Sequence, residues 1–176
     1  RYWDPQVIDP ILRAIDDASR HRNFPSPSPT IRRLLKRISE GRSLQHVWDS
    51  YVELKHLQST HPIVADIFPP SRTPSRLLWR LFYFISYSKP VTTHHYPRLL
   101  MLLQHLWDMQ KYPALREWNM LMRLAADGQR GGGEAILQRC LGILNDYIQN
   151  ARPGTTKGRE LDMSSVLDRS SPNQPD

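Results

Sequence analysis

Cysteine is almost absent. Cys140 is the only one in 176 residues, which excludes an intrachain disulfide and fits a reducing compartment. Long apolar runs are lacking as well. No window approaches the about 18 apolar residues that a membrane helix needs, and the most hydrophobic stretch, Leu77 to Tyr87, is short and contains Arg80. Acidic residues are scarce in the middle of the chain. Between Arg72 and Arg130 only Asp108, Glu117 and Asp127 oppose Arg72, Arg76, Arg80, Lys89, Arg98, Lys111, Arg116, Arg123 and Arg130. The formal net charge of +7 is therefore concentrated there. A segment this basic calls for a polyanionic partner, nucleic acid first among them, or else serves as a solubilising surface.

The patterns that carry chemistry are also missing. None of the seven histidines pairs with Cys or carboxylate at a zinc-ligand spacing, and His94 and His95 are adjacent, so they face different directions on a helix. No Ser or Cys lies in a nucleophile elbow. Gly131-Gly132-Gly133 lacks the Lys-Ser/Thr of a phosphate loop and reads as slack between helices. Asp16 and Asp17 read as surface charges. The chain is expected to work without catalysis, cofactor or metal. It begins at Arg1 rather than Met and reads as a fragment or processed form, with any targeting segment upstream.

Helical periodicity fills most of what remains. Residues 4–20 form an amphipathic pattern with Val7, Ile8, Ile11, Leu12 and Ile15 on one face and Asp4 as cap. The segment 24–29 is rich in proline and serine and reads as a linker, which sets 1–23 apart as an N-terminal helix. A first hairpin runs from Thr30 to Leu57. Ile31, Leu34, Leu35 and Ile38 share one helical face, Gly41 is placed to end that helix in the left-handed conformation, and Ser43 caps a second one. Its stripe is Leu44, Val47, Trp48, Tyr51 and Leu54. Ile63, Val64, Ile67 and Phe68 predict a short helical turn between two proline-marked connections.

A second pair opens at Thr73-Pro74, a capping residue followed by a first-turn proline. Its first helix buries Leu77, Leu78, Leu81, Phe82 and Ile85, and its second runs from about His95 to Gln110 with Leu99, Leu100, Leu102, Leu103, Leu106 and Trp107 inward. A third pair uses Trp118, Leu121, Met122 and Ala125, then Ile136 to Ile148 with Cys140 as a small core residue. Residues 155–176 read as a mostly disordered polar tail, with at best a short turn around Leu161 to Leu167.

Aligning the first helices on Leu34-Leu35, Leu77-Leu78 and Leu121-Met122 places Arg32, Ser75 and Asn119 at one equivalent position, 43 and 44 residues apart. That is the mark of an array of helical pairs. Within it, the run from Gly41 to Lys55 resembles the second helix of a pentatricopeptide repeat (PPR), with its opening Gly, its aromatics Trp48 and Tyr51 three apart and its closing Leu54-Lys55. Glu117-Trp118-Asn119-Met120-Leu121-Met122 resembles the start of that repeat's first helix, and Arg152-Pro153 its basic-Pro ending. The family's repeat is about 35 residues long, so the extra residues here fall in the connections.

The resemblance covers residues 30–154 as three degenerate hairpins. It implies an all-α fold, a short right-handed superhelical solenoid of helix-turn-helix repeats. It also implies binding of single-stranded RNA, or of a ribonucleoprotein, in mitochondrial transcript processing, stability or translation. By position, Asn119 is the first candidate to read a base, because a carboxamide both donates and accepts, and Ser75 is the second. Arg32 departs from the small polar residue usual there. Arg76, Arg80, Arg116 and Arg123 lie on first helices and are candidates to meet phosphates. Trp48, Trp79, Trp107 and Trp118 read as core packing between hairpins. The rival reading is a protein-interaction adaptor of tetratricopeptide type whose basic face binds an acidic peptide.

Overall fold

The fold begins with two sequence-encoded helix starts. Asp4 caps α1 (Pro5–His21), its carboxylate accepting from the Gln6 N–H at 2.9 Å, and Pro5 occupies the first turn, where a missing N–H costs nothing. Ser43 caps α3 (Leu44–Thr60), its hydroxyl oxygen accepting from the His46 N–H. Between them lies α2 (Ser28–Glu40), followed after α3 by the short α4 (Pro62–Ile67) and a 3-10 turn at Pro70–Arg72. The remaining helices are α5 (Ser75–Tyr87), α6 (His95–Asp108) and α7 (Leu115–Asp127).

This computed structural model describes residues 2–89 and 94–127, with Gln138, Leu141 and Gly142 beyond them. The protein is all-α: among the described residues there is no strand. No helix among them is long and apolar enough to cross a membrane. The second helix of the third pair, the glycine run at 131–133, Cys140 and the 155–176 tail lie outside the described residues.

The chain divides into one unit ending at Tyr112 and another beginning at Pro113. In the first, α2 packs on α3 and α5 on α6, while α1 lies against α2 and α4, and α5 also touches α2 and α3. The core is aliphatic with a few rings. Ile8, Leu12 and Ile15 of α1, Leu34, Leu35 and Ile38 of α2, and Leu77, Leu81 and Phe82 of α5 are buried, together with Tyr51, Phe68 and Leu102. Three buried serines do not interrupt it, because each is satisfied locally: Ser19, Ser50 and Ser86 donate to the carbonyls four residues back, at Ile15, His46 and Phe82.

Several sequence-based expectations change here. Val7 is 58% exposed, so the buried stripe of α1 is Ile8, Leu12, Ile15 and Ser19. The linker is shorter than 24–29, because Ser28 and Pro29 form the first turn of α2. It is also tied down: the Ser26 hydroxyl bonds to Asp16, and Ser28 donates to the Leu12 carbonyl at 2.9 Å. Asp16 therefore anchors the linker, whereas Asp17 pairs with Arg20 on the surface. Gly41 is extended, with φ −61° and ψ 141°, not left-handed. Its requirement is space, since a Cβ would meet Val47 and stand 2.5 Å from the Arg37 carbonyl oxygen. Thr73 does not cap α5, because its hydroxyl is engaged with Gln58.

In the second unit α7 buries Leu121 and Leu124, and Met122 is 49% exposed. The alignment of Leu121-Met122 with the two leucine pairs thus holds only at its first residue. Glu117 starts this helix, its carboxylate accepting from the Ala114 N–H at 2.9 Å in the manner of a capping box.

Candidate functional site

The composition of α5 makes it the element to examine. Its sequence from Ser75 to Tyr87 is apolar almost all round, which in a helix with one buried side is unusual. Leu77, Leu78, Leu81, Phe82 and Ile85 point into the core. A second stripe at three- and four-residue steps, Arg76, Trp79, Arg80, Tyr83, Phe84 and Tyr87, lies on the other side. These six side chains and Tyr2 line an open groove of about 580 Å3. Tyr87 is 63% exposed, Arg76 is exposed, and Trp79, Arg80, Tyr83 and Phe84 are half-buried.

Arg80 is fixed in place. Its Nη2 donates to the Gly41 carbonyl at 2.9 Å, and its guanidinium carbon stands 5.1 Å from the Phe84 ring centroid and 5.5 Å from that of Tyr2. Those distances are within cation–π range. Tyr83 and Tyr87 have nearly parallel rings, 15° apart in orientation with centroids 6.3 Å apart, and Trp79 meets Phe82 edge to face at 5.5 Å.

An adjoining groove of about 490 Å3 opens at the start of α5, where Ser75, Arg76, Arg72 and Pro74 meet Trp3 and residues of α1. Ser75 is the first residue of α5 and half-buried, while Arg32 sits a turn inside α2 and pairs with Asp9 at 3.1 Å. Their alignment by sequence does not correspond to a common place along their helices. Within the second unit Asn119, Arg116 and Arg123 are all exposed on α7.

A buried polar line crosses the core of the first unit behind this surface. The His105 Nε2–H donates to the Pro70 carbonyl at 2.8 Å, so its Nδ1 accepts from the Tyr51 hydroxyl, also at 2.8 Å. Burial pushes the His105 imidazole below its ordinary range, against the raising effect of the Pro70 carbonyl, and burial also pushes the Tyr51 phenol up. Both side chains are neutral near pH 7 and lie in the core, where the pair braces helices. Nearby, Arg98 of α6 reaches α3, donating to Gln45 at 2.7 Å and lying 5.2 Å over Trp48.

Comparison with known proteins decides nothing further. No family model, curated protein or solved structure matches the chain.

Of the residues that line the two grooves, sequence reasoning singled out Ser75, Arg76 and Arg80 and not Tyr2, Tyr83, Phe84 or Tyr87, and it favoured core packing for Trp79. The signal was available. A helix with two apolar stripes on opposite sides exceeds what one buried face needs. Trp48 is buried, as expected of a core residue, but Trp107 and Trp118 are only half-buried.

Proposed function

We propose that this chain is a segment of a PPR-like protein, a short right-handed solenoid of helical hairpins that holds single-stranded RNA in mitochondrial gene expression. The observation that carries this reading is that arginines of the basic middle third stand without carboxylate partners among the described residues. Arg20, Arg32 and Arg33 are neutralised by Asp17, Asp9 and Glu53. Arg72, Arg76, Arg80 and Arg98 make no ion pair among the described residues, although they come from the most basic third of the chain. Of these, Arg76 is exposed, and such a cation is available to a phosphate. The resemblance of residues 30–154 to paired repeat helices, and the packing of α2 on α3 and α5 on α6, support the same reading.

The mechanism would be positional. Hairpins hold arginines along a backbone path, and polar groups such as Ser75 and Asn119 meet base edges. Filter-binding titration with single-stranded RNA at low and high salt tests it. Affinity should fall on the order of tenfold or more between about 50 and 200 mM salt if several phosphates are contacted. Absence of binding at low salt, or affinity indifferent to salt, rejects the RNA reading. Tight binding of an acidic peptide in its place would establish the adaptor reading.

A further inference from the structure

We infer that the outer side of α5 is a stacking platform for the bases of single-stranded RNA, a deepening that rests on the RNA reading above. The described residues that line the groove, Tyr2, Arg76, Trp79, Arg80, Tyr83, Phe84 and Tyr87, present only rings and guanidinium groups. Among the described residues that line it there is no carboxylate to neutralise its two arginines and no aliphatic side chain of the kind that packs against a partner helix. Its rings and its arginines without carboxylates suit an occupant that presents flat π surfaces and negative charge. A nucleic-acid strand with unpaired bases does both.

The details agree with that chemistry. Tyr83 and Tyr87 stack on each other with rings 15° apart and centroids 6.3 Å apart, and a base laid on the exposed Tyr87 continues that stack. Arg80 is held by the Gly41 carbonyl and lies against the Phe84 and Tyr2 rings, so it places a fixed positive charge beside the groove's rings at little cost in side-chain entropy. Arg76 is exposed, lines both this groove and the adjoining one that contains Ser75, and is the group placed to meet a phosphate. A duplex does not suit the site, because its bases are already stacked on each other. Stacking of this kind tolerates any base, so it supplies affinity, and Ser75 at the N-terminal end of the same helix remains free to discriminate.

The test uses the 176-residue chain and fluorescence anisotropy with three labelled probes. These are a single-stranded oligouridylate of about 12 nucleotides, an abasic ribose-phosphate strand of the same length, and an RNA duplex. Wild type should bind the oligouridylate at least about fivefold more tightly than the abasic strand, and more tightly than the duplex. Tyr87→Ala, at a largely exposed position, should remove most of that advantage while leaving abasic binding and the helical circular dichroism unchanged. Arg76→Ala should weaken both single strands alike and reduce the salt slope by about 0.7. If Tyr87→Ala binds the oligouridylate as wild type does, the platform is wrong although the RNA reading stands. If no probe binds at low salt, the RNA reading fails and this inference with it. Capture of a polyglutamate peptide that is lost on Tyr87→Ala assigns the groove to a protein partner and overturns the inference.

Discussion

His105 shows how much one polar side chain can decide in this core. Both ring nitrogens are used, one on the Pro70 carbonyl and one on the Tyr51 hydroxyl, so α6, the 3-10 turn and α3 are joined at a single imidazole. Burial holds its folded pKa below the ordinary value of 6.5, with Lys55 acting in the same direction and Asp108 opposing. The unfolded chain therefore takes up this proton first as the pH falls. The stability that depends on the neutral ring is fully present above about pH 7 and is lost as the pH drops through about 6.5 toward the folded value. Urea midpoints should be lower near pH 5.5 than near pH 8, and the difference should shrink in His105→Asn, which cannot titrate. A pH response unchanged by that substitution would place the sensitive group elsewhere. Gln58 and Thr73 form a similar pair, bonded at 3.0 Å across fifteen residues of sequence.

At the scale of elements, helix ends separate two demands on the backbone that composition alone confuses. Gly41 ends α2 in an extended conformation and is needed for clearance from Val47 and the Arg37 carbonyl. Gly41→Ala should destabilise by about 1–3 kcal/mol through overpacking, read as a lower urea midpoint at unchanged slope. The end of α6 is the opposite case. Gln110 is left-handed at φ 57°, with its N–H bonded to Trp107 and that of Lys111 to Leu106, the paired bonds of a Schellman motif. Asn23 does the same after α1, at φ 54°. Asparagine tolerates that region and glutamine does so less well, so Gln110→Gly should raise stability by about 0.5–1 kcal/mol in thermal unfolding. The other lesson at this scale is α5. Its core stripe was legible from the spacing of Leu77, Leu78, Leu81, Phe82 and Ile85. Its outer stripe was not, because an aromatic beside a leucine pattern looks like more core until the neighbours on each side are known.

At the scale of the molecule, the helices from Pro5 to Asp108 belong to the unit that ends at Tyr112 and carry most of the buried apolar residues. A chain truncated after Tyr112 should keep its helical circular dichroism and unfold in one cooperative urea transition. A broad, sloping melt would show that the core depends on the second unit. Positive charge belongs to this scale as well. The surplus in the middle third is visible by counting, yet only the structure shows that Arg32 pairs with Asp9 and Arg33 with Glu53, while Arg76 is exposed with no ion pair among the described residues.

The chain alone determined its helices, most of its buried apolar positions, the caps at Asp4 and Ser43, and the basic middle third, because these depend on neighbours within a turn or two of helix. Tertiary structure decided the roles of His105, Gln58, Thr73 and Asp16, whose partners lie ten to fifty-four residues away. It also decided which side of α5 stays open to solvent. Hydrophobicity fixes that a face is apolar, but only the packing of the other helices determines whether water still reaches it.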